Sequence, residues 1–271
     1  MPLPKKTTER FVLPLRNGRK SGNQLFTHNF LAMKNIFLFT AVIAIIFTSC
    51  RFVEGQRIRG DGNVRTEQRH VTSFSGVETH GSIDIEVTQG DYKITVESDQ
   101  NIIPYILTEV VDGHLQVRFK DGFNSFNYTR ATVYVTAPAL NAFGVHGSGN
   151  INGKGMITGN EKADIIVSGS GNVTLDLHCP GVTTETHGSG DIFLAGETKD
   201  FSTSISGSGD MHAFDLKAET VKTSTHGSGD IETTASAKLD AEIYGSGNVS
   251  YKGSPQISTE SHGSGSIRHE D

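Results

Sequence analysis

The sequence predicts an all-β protein whose main part is a parallel β-helix, or β-solenoid, of about seven coils, preceded by antiparallel hairpins in a single domain. The first observation is a repeat, since the triplet Gly-Ser-Gly occurs seven times in steps of 18 to 22 residues. The second is an apolar residue two places after every triplet. The third is that no segment has the apolar spacing of an amphipathic helix. The triplets begin at Gly147, Gly169, Gly188, Gly207, Gly227, Gly245 and Gly263.

The apolar column decides between periodic folds. A repeat that keeps one apolar residue in register is typical of a solenoid with one coil per repeat. Coils stack about 4.8 Å apart, as neighbouring strands do, and the column then forms a buried ladder. The column consists of Ile151, Val173, Ile192, Met211, Ile231, Val249 and Ile267.

The triplets have the chemistry of tight corners. Glycine takes positive φ without steric penalty, and the Asp, Asn or Ser after each triplet can bond nearby backbone groups. Between the corners, segments such as Ile165–Val167, Val182–Thr184 and Val221–Thr223 are rich in β-branched residues and indicate short strands.

Residues 71–145 lack the repeat and favour hairpins. Ile83–Val87 and Lys93–Glu97 alternate apolar and polar residues around a short turn, and Val110-Val111 and Leu115–Phe119 flank Asp112-Gly113. The tetrapeptide Thr79–Ser82 matches residues 225–228, which predicts a degenerate coil here too. We therefore treat 71–271 as one domain.

The N-terminal segment has the pattern of an export signal. Met33-Lys34-Asn35 precedes an apolar run of 12 residues, followed by Thr-Ser-Cys50. Small residues before a cysteine resemble the lipobox of bacterial lipoproteins, which predicts lipidation of Cys50 and anchoring to a membrane. We expect residues 1–49 to comprise an upstream extension and a lipoprotein signal peptide starting at Met33, and residues 50–70 to form a tether.

Charge and cysteine content exclude some classes of function. Seven of the 24 basic residues and one of the 30 acidic residues precede Cys50, so the rest carries a net charge of −12. Such a domain repels phosphate backbones, and we predict no nucleic-acid binding. Cys179 has no partner if Cys50 is lipidated, so no disulfide framework is expected.

Two polar columns are the candidate sites. Histidine precedes every second triplet, but alternate coils are about 9.6 Å apart, too far for two ligands of one Zn²⁺. We therefore interpret this column as a solvated row. Asp191, Asp210 and Asp230 could hold Ca²⁺, but asparagine replaces aspartate in three repeats, which favours structural turns. No catalytic residue, metal ligand or cofactor is predicted. The histidines are His146, His187, His226 and His262.

Residues 71–145 and the repeats that follow them together resemble one known protein family. Phe74–Val77, Gly81–Val87 and Gln89-Gly90, followed by the Gly-Ser-Gly-Asx-aliphatic repeats, resemble the GIN domain, a head domain of auto-transporter adhesins, over about residues 71–268. The resemblance implies a secreted or surface-attached β-helical protein, often a lipoprotein. It implies no ligand and no binding residues.

These features predict a non-enzymatic cell-envelope lipoprotein, an adhesin or scaffold that binds a protein or polysaccharide through the faces of the solenoid. The lipid would hold it on the outer membrane, with the periplasmic or the outer surface left open. The alternative is a carbohydrate-active β-helix enzyme, a lyase or hydrolase. Such an enzyme needs carboxylates and basic residues clustered on adjacent coils, and the sequence shows no such cluster between residues 146 and 271. A spacer in an accessory envelope protein is a third possibility.

Overall fold

A computed structural model of the chain describes residues 56–271. These residues form nineteen strands and one short 3-10 turn, Ile103–Tyr105. In chain order the strands are β1 (Gln56–Arg59), β2 (Val64–Arg69), β3 (Gly76–Gly81), β4 (Asp84–Gln89), β5 (Lys93–Asp99), β6 (Ile106–Val111), β7 (His114–Phe119), β8 (Phe123–Asn127), β9 (Ala131–Ala137), β10 (Ala142–Gly147), β11 (Ile151–Thr158), β12 (Ala163–Gly169), β13 (Val173–Gly188), β14 (Ile192–Gly207), β15 (Met211–Gly227), β16 (Ile231–Gly245), β17 (Val249–Lys252), β18 (Gln256–Ser261) and β19 (Ile267–His269).

The strands stack in parallel on two sides of a solenoid. The incoming side holds the segments that lead into the corners: β7, β3, β10, β12, the second halves of β13 to β16, and β18. The outgoing side holds β4, β11, the first halves of β13 to β16, β17 and β19. The predicted parallel β-solenoid is therefore confirmed.

The corners stack in register, one glycine above the next. Gly81 pairs with Gly147, and the pairing continues through the first glycine of each triplet to Gly245. The degenerate coil predicted at 79–82 is thus part of the stack. About six turns are complete rather than seven, because the last coil has only the short strands β18 and β19.

The apolar column lies in the core as predicted. Its members from Ile151 to Val249 are fully buried, and only Ile267 in the last coil is partly exposed. Burying a side chain of this size stabilises the fold by roughly 1.5–3 kcal/mol. No coil can bury this face alone, so each depends on its neighbours.

One of the two predicted hairpins is confirmed and the other is wrong. Strands β6 and β7 pair antiparallel around Asp112 and Gly113, both at positive φ. Strands β4 and β5 do not pair with each other, because β9 lies between them, parallel to β4 and antiparallel to β5. Gly90, in the connection between β4 and β5, donates its N–H to Ala137 at the end of β9.

The domain begins earlier than residue 71. Strand β1 pairs with β8 and strand β2 pairs antiparallel with β5, so residues 56–69 belong to the fold and not to a tether. Strand β2 is mostly exposed and is held by backbone bonds, which explains its lack of apolar alternation. The signal segment 1–49, Met33 and Cys50 lie outside the described residues. Within residues 56–271 no helix is long and apolar enough to cross a membrane.

Candidate functional site

The Asp and Asn side chains of the corners are occupied by the fold. In each coil the Oδ1 oxygen accepts the backbone N–H of the equivalent residue in the next coil, at 2.7–2.9 Å from Asp84 to Asn248. The sequence predicted bonds to backbone groups nearby in the chain, whereas the partner lies one coil away. An aspartate and an asparagine both offer this oxygen, which explains why they interchange. The Oδ1 atoms of the Asp191, Asp210 and Asp230 column thus serve as structural acceptors.

The histidine row differs between its two ends. His80 of the degenerate coil pairs with His146 of the next coil, and their rings stack with centroids 4.7 Å apart. The expectation of histidines only on alternate coils is wrong here, because the coil of His80 lacks a complete triplet and so lies outside the repeat of seven. His187 fits it, since serines flank it on both neighbouring coils. Tyr244 stacks with His226 and His262.

Glu78 on β3 is the centre of a polar cluster beside this histidine pair. Its carboxylate lies 2.6 Å from Nδ1 of His114 and 3.3 Å from Nε2 of His80, and it accepts a hydrogen bond from Gln116 at 3.3 Å. Burial raises the pKa of Glu78, but the hydrogen bonds from His114 and His80 outweigh burial and leave this pKa below its usual value. Burial and the nearby His80 lower the pKa of His146.

Two glycines make room for this cluster. A Cβ atom on Gly144 would lie 2.9 Å from Cγ of Glu78 and 3.2 Å from Nε2 of His146. A Cβ atom on Gly76 would lie 2.8 Å from the His114 ring. Neither glycine has positive φ. Their role here is therefore spatial, unlike that of the corner glycines.

A cleft of about 450 Å³ adjoins the cluster on the outer surface of the incoming side. Its lining includes Ala142 and Gly144 of β10, and Ile166 of β12, which is 39% exposed. No lysine or arginine lines the cleft in the part of the chain that the structure describes. Its ionisable lining residues are Glu78, His114, His146, Asp164 and Glu185. Such a surface suits hydroxyl groups or cations and disfavours anions.

This cleft was not predicted from the sequence, for a topological reason. The expected absence of clustered carboxylates concerned residues 146–271 alone, whereas the cleft spans β7, β3, β10, β12 and β13. The signal that could have found it is the recurring Glu-x-His on the incoming strands, at Glu78, Glu185 and Glu260. Cys179 lies outside this cleft: it is half-buried, burial raises the pKa of its thiol, and the thiol donates to the Gly181 carbonyl.

Comparison with known proteins places this architecture among adhesin-like domains. The family model described as "Putative auto-transporter adhesin, head GIN domain" matches residues 73–255. A crystal structure of a "putative adhesin" from Bacteroides fragilis is 28% identical, covers 79% of this chain and 100% of its own, and superposes with a TM-score of 0.75. A "putative lipid binding protein" from Parabacteroides distasonis is also 28% identical, with 80% and 100% coverage and a TM-score of 0.68.

A third solved structure extends the same likeness. This "putative adhesin" from Parabacteroides merdae is 25% identical, with 79% and 99% coverage and a TM-score of 0.62. Among curated proteins none matches the chain. The resemblance seen in the sequence is thus confirmed by the family and by the fold.

Proposed function

Because the chain belongs to the family of auto-transporter adhesin head (GIN) domains, we propose that it is a lipid-anchored, non-enzymatic binding protein of the cell envelope. The names of its relatives support an adhesin-like role rather than catalysis. The export signal and the lipobox-like cysteine of the sequence support the envelope location.

Lipid on Cys50 would keep the domain close to the membrane. The fold begins at Gln56, and the five residues between can span at most about 18 Å. Strand β1 would then lie near the membrane surface. Labelling of the full chain with a radioactive fatty acid tests this. We expect incorporation that Cys50→Ser abolishes, and labelling that survives this substitution would contradict the anchor.

Protease treatment of intact cells decides which side of the outer membrane the domain faces. Degradation of the domain in intact cells would support adhesion at the outer surface. Survival until the outer membrane is opened would place binding in the periplasm instead.

The cleft beside Glu78 is the surface that best supports ligand binding, and we propose a neutral or basic polysaccharide as its ligand. Carboxylates such as Asp164 and Glu185 accept hydrogen bonds from sugar hydroxyls, and imidazoles can donate them. The absence of cationic side chains from the described lining disfavours anionic polymers. A single exposed aliphatic residue, Ile166, provides little of the apolar centre that a stable protein interface needs.

Binding of purified full-length chain to isolated envelope and host polysaccharides tests this role. We expect Asp164→Asn combined with Glu185→Gln to abolish binding. The matched control, Asp215→Asn with Glu232→Gln, removes the same two charges outside the cleft and should leave binding unchanged. Equal loss in both variants, or binding only to proteins, would contradict the cleft as a polysaccharide site.

The carboxylates of the cleft also favour a second candidate, the carbohydrate-active enzyme, since glycoside hydrolysis uses a pair of them. The assay that separates the two functions is the release of reducing ends or unsaturated sugars from a bound polysaccharide. We expect none. Turnover that is lost in Glu78→Gln would establish the enzyme instead.

A further inference from the structure

We infer that Glu78, His80 and His146 form a binding site for a divalent transition-metal ion, with Zn²⁺ as the ion it fits best. One ligand atom of each residue lies within 4.8 Å of the other two, and no other group of three such residues is this close within the described residues. The site arises because β3 and β10 are paired in register, which puts His80 beside His146.

Small side-chain rotations complete the coordination. Zn²⁺ holds nitrogen and oxygen ligands at about 2.0–2.2 Å, so the ligand atoms of a tetrahedral site are about 3.3–3.6 Å apart. Because no two ligand atoms are more than 4.8 Å apart, each pair must approach by at most about 1.5 Å to reach this spacing. The His80 ring is 37% exposed and can turn from its stacked position, and the space left by Gly144 gives the Glu78 carboxylate room to turn toward His146.

His114 acts as the outer-shell partner of this site. Its Nδ1 lies 2.6 Å from Oε1 of Glu78, while the other carboxylate oxygen, Oε2, faces His80. A hydrogen bond to a ligating carboxylate orients it toward the metal. Gly76 allows this arrangement, since a side chain there would meet the His114 ring.

The donor set selects the class of metal. Two imidazoles and one carboxylate suit Zn²⁺, Cu²⁺ or Ni²⁺, whereas Ca²⁺ and Mg²⁺ require a larger set of oxygen ligands. Three protein ligands leave a fourth position open, and Glu78 and His146 also line the cleft. The open position would take water or a ligand oxygen. This inference does not depend on the proposed polysaccharide, because the metal alone tests it.

The repeat supplies matched controls on other coils. Glu185 and His187 have the same spacing and lie 3.5 Å apart, and Glu260 and His262 lie 2.6 Å apart. Neither pair has a second histidine beside it. Serines flank His187, and Tyr244 stacks on His262. These pairs keep the local chemistry and lack the third ligand.

The test is calorimetric titration of the metal-free full-length chain, purified in detergent, with ZnCl₂, accompanied by the visible spectrum with Co²⁺. We expect one equivalent of tightly bound Zn²⁺ and the intense absorption of tetrahedral Co²⁺. His80→Ala, His146→Ala and Glu78→Gln should each abolish the spectrum. His114→Gln should weaken Zn²⁺ binding about 10- to 100-fold, as outer-shell changes do.

His187→Ala and His262→Ala should bind Zn²⁺ as the unchanged chain does. If Glu78→Gln fails to fold, His146→Ala still decides the question, because its ring is partly exposed at the rim. The inference is overturned if the unchanged chain binds no Zn²⁺, if His80→Ala and His146→Ala retain full affinity, or if His187→Ala loses as much affinity as they do.

Discussion

The regular coils of β12 to β18 and the interrupted half of β2 to β11 use similar residues for different purposes. In the regular coils each corner Oδ1 accepts an N–H from the next coil, from Asn172 to Asn248. In the interrupted half, β9 enters between β4 and β5, and the Glu78 carboxylate contacts three polar side chains on its own side of the solenoid. The corner ladder also runs through Asp84 and Asn150 of the interrupted half. The two regions therefore differ in the polar cluster on their incoming strands and not in their corners.

The cores of the two regions differ at one inward position of the incoming side. Phe143 fills this position on β10, whereas Thr184, Thr203 and Thr223 take it on β13, β14 and β15. Some threonine hydroxyls are bonded, as in Thr184 to Thr203 at 2.8 Å, and others are not. At this position the regular coils therefore bury hydroxyl groups where β10 buries an aromatic ring.

The largest loss of stability should come from substituting a corner glycine. Gly207 has φ +150° and a Cβ there would lie 2.1 Å from the Gly188 carbonyl oxygen, so Gly207→Ala should destabilise the fold by about 3 kcal/mol or more. Gly81 holds the same corner position with nothing within 4 Å of its Cβ, so Gly81→Ala should cost about 1–2 kcal/mol. Urea unfolding measures both. Equal losses would show that backbone strain, and not the packing of coils, sets the requirement for glycine.

The second-largest loss of stability should come from removing one of the corner Oδ1 acceptors. Asp210→Ala removes the acceptor of the Asp230 N–H, bonded at 2.8 Å, and should cost about 1–3 kcal/mol. Asp210→Asn keeps that oxygen and should change stability by less than about 0.5 kcal/mol. Thermal unfolding of both variants is the check, and a large loss in Asp210→Asn would mean that the charge itself matters.

A smaller difference in stability is expected between substitutions of two buried threonines of β15. The Thr223 hydroxyl has no partner among the described residues, so Thr223→Val should stabilise the fold by about 1 kcal/mol. Thr225 donates to the Gly229 carbonyl at 3.2 Å, and Thr225→Val should be neutral or destabilising. Denaturant midpoints of the two variants that move together would contradict this distinction.

The smallest change in stability should come from a glycine of the interrupted half. Gly144→Ala meets the flexible Glu78 side chain and no strained backbone, so unfolding should change by less than about 1 kcal/mol. Because the displaced Glu78 carboxylate is itself a ligand, this change should nevertheless weaken Zn²⁺ binding by about tenfold or more, since even changes beyond the ligands cost 10- to 100-fold. Titration with ZnCl₂ checks this. Strong destabilisation with unchanged metal affinity would assign Gly144 to the fold rather than to the site.

The repeat could be predicted from the sequence because its signals are local. The spacing of the triplets, the apolar column and the Asp112-Gly113 turn each involve neighbouring residues, and the structure confirms all three. The insertion of β9 could not be predicted, because Val133 and Val135 lie some forty residues beyond the strands that they separate. The polar cluster around Glu78 could not be predicted either, because it forms only when β7 and β10 lie on the two sides of β3.

The strands at the start of the domain show the same limit. Residues 64–69 do not alternate apolar and polar side chains, because β2 is held along β5 by backbone hydrogen bonds. Only this pairing with β5 reveals the strand. Patterns of side chains predict what is buried. They do not predict what is held by backbone bonds or brought together by strand order.

If binding chemistry lies where the repeat is interrupted, anomalous diffraction from crystals of the protein grown with Zn²⁺ should locate the ion there. We expect one strong peak between Glu78, His80 and His146. A peak at His187 or His262 in the regular coils, or no ordered peak at the predicted position, would contradict it.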